Sequence, residues 1–343
     1  MEKTFLLSSG FGDNGYGVQD SAKELIKLNI GLEPVDISNI RFKTKKSKLI
    51  FNIYSFYYLE RKYKVFKGKK LLVMEPNLLP KKFINIPNKK AVVVYDFYVF
   101  DKDYIKNTRK LPFPKNVFRQ FVLKKVQNSY KNIKFYDKVA VSSQKSKERL
   151  ITEFGVEEGK IDVFQFSVID DIYQPFNKQK NNKLIIGYIN GFGANKLEKL
   201  KVFIEHFKKL KDDSIELHIY GRGFPLENQI KNEKNIKYYG FLPEEKVMET
   251  YNSFDAYLST SIMEGFGLPI MKAKACKAPV LCYDGDLIEI VKRNTLIWNE
   301  SNIDEILNNR AWNKVNVEKA YEDVAETRPS AVKKNIQHFL ESF

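Results

Sequence analysis

The hydrophobic residues of this 343-residue chain fall into short apolar runs that alternate with helical patterns. The stretch TFLLSSG (4–10) is an apolar run that ends in glycine, and KLIIGYINGFG (183–193) repeats this form in the second half. Each is followed by apolar residues at the spacing of one helix face, which in the first case are Val18, Ala22, Leu25 and Ile26. Strands followed by crossover helices predict a parallel sheet in each half.

The chain length suits two domains of roughly 150 residues each. Residues 163–183 end in a polar stretch with Pro and Asn and no periodicity, which predicts a linker. We therefore expect an α/β protein of two doubly wound, Rossmann-like domains that face each other across a cleft, covering residues 1–175 and 183–328. Residues 329–343 form a separate helical pattern with an apolar face made of Val332, Ile336, Phe339, Leu340 and Phe343.

Composition excludes several classes of protein. Apolar runs such as AVVVYDFYVF (91–100) are shorter than the roughly 20 residues of a membrane-spanning helix, and the first residues show no positively charged leader. Cys276 and Cys282 have no partner pair, which indicates reduced thiols and argues against a zinc site. The three histidines are scattered. We expect a cytoplasmic protein that needs no metal and no other cofactor.

The net charge of +16 is concentrated in the first half. Residues 1–175 contain 33 basic and 19 acidic residues, a net charge of +14, and the remainder is nearly neutral at +2. Much of the excess lies in the segments 41–48, 61–70 and 81–90. A one-sided field draws anions to one half of a molecule, although a solvated lysine-rich face is the simpler interpretation of any single segment.

Two glycine-rich loops follow predicted strands. The first, GFGDNGYGV (10–18), includes Gly15 and Gly17 and precedes a helix, so its backbone can close on a phosphate. It does not fit the dinucleotide-binding spacing, and a tight strand-to-helix turn is an equal interpretation.

The second loop, IMEGFG (262–267), lies between a predicted buried strand and a helix that we expect to begin at Pro269. Gly265 and Gly267 let backbone amides approach a ligand, while the positive end of the helix favours an anion. Glu264 is then either a helix cap or a ligand contact, and the two glycines around an aromatic residue favour the second.

The stretch EGFGLPIMKAKACKAPV (264–280) closely resembles the nucleotide-sugar motif of retaining glycosyltransferases of family four, which have the GT-B fold. The resemblance continues in order through NGYGVQDSAKEL (14–25) and residues 136–176, then through 187–200 and 236–261. It implies a donor domain in the second half, an acceptor domain in the first, and a last helix that packs back on the first domain.

The resemblance also implies roles for individual residues. Glu264 matches the catalytic-site carboxylate that contacts the donor sugar, Lys196 the lysine that binds the diphosphate, and Gly17 the loop glycine at the phosphate. Further donor-side positions are Gly15, Gly265, Phe266, Gly267 and Leu268, with Leu242 and Glu244 beside the nucleotide base.

Four positions depart from the family pattern. Lys272 replaces a second glutamate that accepts ribose hydroxyls, and a lysine only donates. Asn190 replaces an arginine of the diphosphate site, Lys277 replaces a glycine, and Tyr95, which precedes Asp96 on the acceptor side of the cleft, replaces a histidine. Either Lys272 turns toward the phosphates in compensation, or the donor site is degraded.

The resemblance thus implies metal-independent transfer of a hexose from a nucleoside-diphosphate sugar with retention of configuration. Two Asp-x-Asp sequences, at 101–103 and 284–286, match the metal-binding spacing of the other glycosyltransferase fold, but the ordered resemblance to GT-B proteins outweighs them. A sugar-nucleotide or glycan-binding protein without turnover is an alternative. A basic nucleic-acid-binding protein is a third, although it lacks a recognition motif.

The charge of the first half predicts an anionic acceptor or a membrane surface as partner, with nucleic acid less favoured. The membrane is favoured because aromatic residues are interleaved with the lysines of residues 41–70, an arrangement that suits a lipid interface. The alternative is that these aromatics are core residues: Phe42, Phe51, Tyr54, Phe56, Tyr57, Tyr58 and Phe66.

Overall fold

The computed structural model describes residues 4–8, 17–36, 66, 68–78, 88–109, 112–176 and 182–343. The chain divides into two compact units. The first combines Met1–Val168 with Pro329–Phe343, and the second is Ile169–Arg328. Each contains a six-stranded parallel sheet with helices, so the predicted α/β class is confirmed.

The sheet of the first unit has the strand order β2-β1-β3-β4-β5-β6, and all pairs are parallel. Its central strands are continuous apolar runs because helices cover a parallel sheet on both faces; residues 91–94 are almost completely buried. The strands are β1 (Thr4–Ser8), β2 (Leu32–Asp36), β3 (Lys70–Val73), β4 (Lys90–Val94), β5 (Lys138–Val141) and β6 (Ile161–Val163).

In the described part of the first unit, the connections between these strands contain four α-helices: α1 (Gly17–Lys27), α2 (Lys102–Arg109), α3 (Lys115–Tyr130) and α4 (Gln144–Phe154). Helix α1 follows the first strand, and its Ala22 and Leu25 are fully buried. Helix α4 begins after Ser143, whose hydroxyl accepts the Ser146 N–H at 3.1 Å, and ends at Gly155 in the left-handed conformation.

The C-terminal helix (Pro329–Glu341) belongs to the first unit. The five residues of its apolar face are buried in the core of that unit, among side chains of its sheet. Lys70 of β3 donates to the carbonyl of Leu340, and its ammonium lies 4.5 Å from the ring centroid of Phe343. The C-terminal helix is therefore part of the hydrophobic core of the first unit.

The sheet of the second unit has the order β14-β12-β10-β7-β8-β9, and β11 pairs with β13 in a separate two-stranded ribbon. The strands are β7 (Leu184–Ile189), β8 (Ile215–Tyr220), β9 (Ile236–Gly240), β10 (Ala256–Ser259), β11 (Met263–Glu264), β12 (Val280–Tyr283), β13 (Asp286–Leu287) and β14 (Leu296–Trp298). The helices are α5 (Ala194–Lys209), α6 (Glu227–Ile230), α7 (Glu244–Ser253), α8 (Leu268–Ala275), α9 (Glu289–Lys292), α10 (Ile303–Asn308) and α11 (Val317–Glu322).

The first unit ends earlier than the predicted boundary at residue 175. Ile169 and Tyr173 are buried in the core of the second unit, and the Ile169 N–H donates to the Thr327 carbonyl at 2.8 Å. Arg328 also donates to the carbonyls of Asp170 and Tyr173, at 2.9 Å in each case. The prediction was wrong for residues 169–175. The polar stretch that suggested a linker comes after these residues, whereas the chain already packs against the second unit from Ile169 onward.

Several predictions concern residues outside the described part of the chain. These are Gly15, the basic segment 41–48, most of the segments 61–70 and 81–90, and all the aromatics interleaved with lysines except Phe66. Among the residues that the structure describes, no helix is both long and apolar enough to cross a membrane.

The core position of the C-terminal helix gives a stability prediction. Replacing Ile336 by Ala removes a fully buried side chain, so we expect the free energy of unfolding to fall by about 2–5 kcal/mol. Lys334→Ala, on the exposed side of the same helix, is the matched control and should change it by less than about 0.5 kcal/mol. Urea unfolding followed by circular dichroism measures both, and equal values for the two variants would contradict the placement.

Candidate functional site

The backbone of Glu264 is fixed by a short ribbon at the end of β10. After Ser259 the buried residues Thr260 and Ser261 lead into β11, where Glu264 pairs in register with Leu287 of β13. Gly285 allows the two segments to approach, because a Cβ there would lie only 2.4 Å from the Ile262 carbonyl oxygen. The carboxylate is therefore presented from a constrained turn.

The side chain of Glu264 forms an ion pair with Lys196, with 2.6 Å between Oε1 and Nζ. The Ser261 hydroxyl donates to the same oxygen at 2.7 Å. The two charged side chains are 18% and 17% exposed, so both remain accessible to a ligand while most of each is covered. The structure thus brings together the two residues predicted to contact the donor sugar and its diphosphate.

Lys196 lies in the first turn of α5, and both its side-chain ammonium and its backbone carbonyl form hydrogen bonds. Its ammonium donates to Asn190 Oδ1 at 2.9 Å, and that oxygen also accepts the Gly191 N–H at 2.9 Å. The Thr260 hydroxyl donates to the Lys196 carbonyl at 2.9 Å. An ammonium has three donors, and the contacts with Asn190 and Glu264 use two of them.

Helix α8 begins immediately after the glycine loop. Gly267 precedes it with φ of 71°, a left-handed conformation that favours glycine, and a Cβ there would lie 3.0 Å from a methyl group of Val291. The prediction that Pro269 is the first helical residue was wrong by one position, because the helix begins at Leu268. Pro269 has no N–H and the Met271 N–H donates to the Gly267 carbonyl at 3.0 Å, so the first turn offers a ligand the N–H groups of Leu268 and Ile270 at the positive end of the helix.

The other residues of the loop differ in what they offer a ligand. The Phe266 side chain is buried in the hydrophobic core of the second unit, so its backbone alone is available. Leu242 and Leu268 pack against the same core but are partly exposed. Gly265 lies between Glu264 and the buried Phe266. The burial of Phe266 therefore holds the loop against the sheet.

Lys272 lies against two residues from other elements. Its ammonium is 3.7 Å from Glu244 Oε1, at the start of α7, and 4.5 Å from the centroid of the Tyr173 ring. The Tyr173 hydroxyl donates to the same glutamate oxygen at 3.0 Å, and desolvation together with this carboxylate raises the Tyr173 pKa well above its ordinary value. The lysine and the predicted base-side glutamate thus form one cluster.

Of the predicted residues in the first unit, the structure describes Gly17, Tyr95 and Asp96. Gly17 is the first residue of α1. Burial raises the pKa of Tyr95 well above its ordinary value, so it is a neutral phenol at neutral pH. Its ring packs edge-on against that of Phe166, with 4.9 Å between the ring centroids. Asp96 Oδ1 accepts the Tyr98 N–H at 3.1 Å. Tyr95 therefore does not reproduce the titration of a histidine.

Sequence reasoning did not identify three residues that support the site. Ser261 and Thr260 lie within the strand end that precedes Glu264, and a search for hydroxyl groups three or four residues before it would have found them. Tyr173 offers no such signal, because it contacts Glu244 only through packing of distant segments.

Potential metal ligands are dispersed in the described part of the chain. Among those residues, no group of three His, Cys, Asp or Glu side chains is arranged to hold a metal ion. Cys276 and Cys282 are free and buried, and burial raises the pKa of both thiols to about 12.

Residues 170–309 match the family described as glycosyl transferases group 1. The poly(ribitol-phosphate) alpha-N-acetylglucosaminyltransferase of Staphylococcus aureus is 26% identical over 257 residues, covering 71% of this chain and 48% of that protein. The phosphatidylinositol N-acetylglucosaminyltransferase GPI3 subunit of Saccharomyces cerevisiae is 23% identical over 178 residues, covering 48% and 39%.

Solved structures agree on the fold. Anabaena HepE in complex with UDP-glucose aligns over 100% of both chains at 13% identity, with a TM-score of 0.69. The chain spans only about half the length of the staphylococcal relative. The family match covers the glycine loop, the ion pair and the Lys272 cluster. Residues 170–309 therefore resemble the glycosyl transferases group 1, and the chain has the GT-B type of fold.

Proposed function

We propose that this protein transfers a hexose from a nucleoside-diphosphate sugar to an acceptor, with retention of anomeric configuration and without a metal ion. The observation that carries the proposal is the Lys196–Glu264 pair, at 2.6 Å, beside the N-terminus of α8. In this proposal the carboxylate of Glu264 accepts hydrogen bonds from the sugar, and the ammonium of Lys196 binds the negatively charged diphosphate. The match of residues 170–309 to the glycosyl transferases group 1 supports the use of a sugar-nucleotide donor.

The chemistry requires stabilisation of negative charge on the leaving group. When the bond between the anomeric carbon and the phosphate oxygen breaks, its electron pair goes to the diphosphate. The third N–H of Lys196 and the amides that begin α8 are fixed donors for that charge, and such preorganised groups supply a large share of catalysis. Glu264 accepts hydrogen bonds from sugar hydroxyls.

Retention follows if the acceptor attacks from the face that the diphosphate leaves. The acceptor oxygen forms the new bond to the anomeric carbon, and its proton passes to a phosphate oxygen of the departing diphosphate. No side chain forms a covalent intermediate in this scheme, which suits a site whose titratable groups are a lysine and a glutamate already paired with each other. Tyr95 is a neutral phenol whose hydroxyl is buried, so we do not propose it as the group that removes this proton.

We propose a phosphate-bearing acceptor that binds mainly to the first unit. The first 175 residues have a net charge of +14, which exceeds what a donor diphosphate requires. Two relatives have names that specify a phosphate-bearing acceptor, poly(ribitol-phosphate) and phosphatidylinositol. We further propose that the protein works in the cytoplasm, where its two thiols stay reduced, and associates peripherally with a membrane surface.

A binding protein without turnover is the second candidate. The Lys272–Glu244 contact favours it, because a lysine cannot accept the ribose hydroxyls and its charge is partly taken by a carboxylate. Slow release of nucleoside diphosphate in the absence of acceptor distinguishes the two candidates, since the enzyme should hydrolyse a donor and the binding protein should not.

Replacing Glu264 by Gln tests the central observation. We expect donor turnover to fall about 10²-fold or more, because a preorganised group that contacts the sugar is weakened while its size is kept. Glu249→Gln, on the exposed side of α7, is the control and should retain wild-type turnover. Full activity of a folded Glu264→Gln protein would contradict the assignment.

The two lysines are separated by their effects on binding. Lys196→Ala should weaken nucleoside-diphosphate binding by about 1.5–3 kcal/mol, the range for charged hydrogen bonds, while Lys201→Ala on the same helix should not. If Lys272 also faces the phosphates, Lys272→Ala weakens binding as well. Tighter binding by Lys272→Glu, measured by titration calorimetry, would show instead that the lysine has degraded the site.

The acceptor proposal predicts a salt dependence. Transfer to poly(ribitol phosphate) should decrease steeply as salt rises, because each screened contact between a lysine and a phosphate weakens acceptor binding. Transfer to unphosphorylated ribitol is the comparison, and donor hydrolysis should change little with salt. An equal preference for the two acceptors at low salt would contradict a phosphate-bearing acceptor.

A further inference from the structure

Helix α3 of the first unit is apolar on the side that faces solvent. Phe113, two residues before the start of the helix, is 83% exposed, and Val117 and Phe121 are each 56% exposed. Its opposite side packs into the core through Leu123 and Tyr130. Large exposed apolar side chains at spacings of four residues form one stripe on a helix, so α3 has a second apolar face beyond the one that the core needs.

The same exposed stripe becomes basic toward the end of the helix. Lys124 and Lys131 continue it at helical spacing, with Asn128 between them, and all three are exposed. Residues 112–136 contain six basic residues and no acidic residue. We define the α3 face as Phe113, Val117, Phe121, Lys124, Asn128 and Lys131.

We propose that the α3 face is the surface by which the protein binds an anionic lipid membrane. This inference rests on the membrane association proposed above and names the residues responsible; it does not depend on the donor site in the second unit. The apolar half of the face would enter the boundary between headgroups and acyl chains, and the lysines would contact the headgroups.

The charge of the face decides against other occupants. A second copy of this chain would bring the lysines either against lysines or against the apolar end of the partner helix, because residues 112–136 contain no carboxylate to pair with them. A nucleic acid would pair its phosphates with the lysines but would leave the apolar side chains of Val117 and Phe121 exposed to water. An anionic bilayer satisfies both halves.

Co-sedimentation with vesicles of phosphatidylcholine and phosphatidylglycerol tests the proposal, with phosphatidylcholine vesicles as comparison. We expect binding to the anionic vesicles at low salt. Val117→Ser/Phe121→Ser should lower partitioning about tenfold or more, because two apolar side chains lose their burial. Lys124→Glu/Lys131→Glu should lower it about fivefold or more for each lysine.

Matched controls lie in the second unit. Ile172 and Phe176 are 54% and 45% exposed, so Ile172→Ser/Phe176→Ser removes a comparable exposed apolar area, and Lys231→Glu/Lys234→Glu makes the same change of charge. Both should bind vesicles as the wild type does. Both double variants of the α3 face should keep wild-type donor hydrolysis, which separates loss of membrane binding from failure of the fold or of the donor site.

Fluorescence locates the contact independently. Trp298 and Trp312 are fully buried, so in a Phe121→Trp variant the new exposed indole should shift its emission to the blue when anionic vesicles are added. Vesicle binding without that shift, or binding unaffected by the α3 substitutions, would overturn the α3 face alone. The absence of wild-type binding, or equal binding to neutral vesicles, would overturn the membrane association as well.

Discussion

The adjacency of two parallel strands, β7 and β10, is the constraint on which the candidate site depends. The strands are hydrogen-bonded neighbours, with Ala256 opposite Ile186. Parallel neighbours end at the same edge of a sheet, so the segments that follow them meet although they are far apart in sequence. Lys196 follows β7, Glu264 follows β10, and their ion pair joins the two connections. Without this strand order, neither residue would have its partner.

The three lysines that follow the glycine loop have separate partners. Lys272 contacts Glu244, and Lys277 contacts Glu318 at 2.6 Å. Lys274 is fully buried, and its ammonium donates to the carbonyls of Ile290 and Arg293 and to Asp323 at 3.0 Å. Desolvation lowers the pKa of Lys274, and the hydrogen bonds with Asp323 oppose that change. A buried ammonium with three acceptors fixes α8 to the elements behind it, so Lys274 is a structural residue.

The two units therefore carry different physical properties. The second unit is nearly neutral and holds its charged residues in specific pairs close to the glycine loop. The first unit carries most of the excess positive charge, and helix α3 exposes apolar and basic residues together. A neutral framework with a few oriented charges suits recognition of one small ligand, whereas a large net positive charge favours attraction to an extended anionic surface.

The sequence by itself determined the fold class and predicted part of the candidate site. Alternating apolar runs and helix faces specify parallel sheets because burial on both sides of a strand requires continuous apolar residues, and the glycine loop predicts Glu264 as a ligand contact because glycines let a backbone approach a ligand. Only the tertiary structure decided which side chains meet. Tyr173 beside Glu244, Lys272 on that pair, and the transfer of residues 169–175 to the second unit arise from contacts between distant segments. Periodicity records the environment of each residue along one element, but it carries no information on which residue of another element faces it.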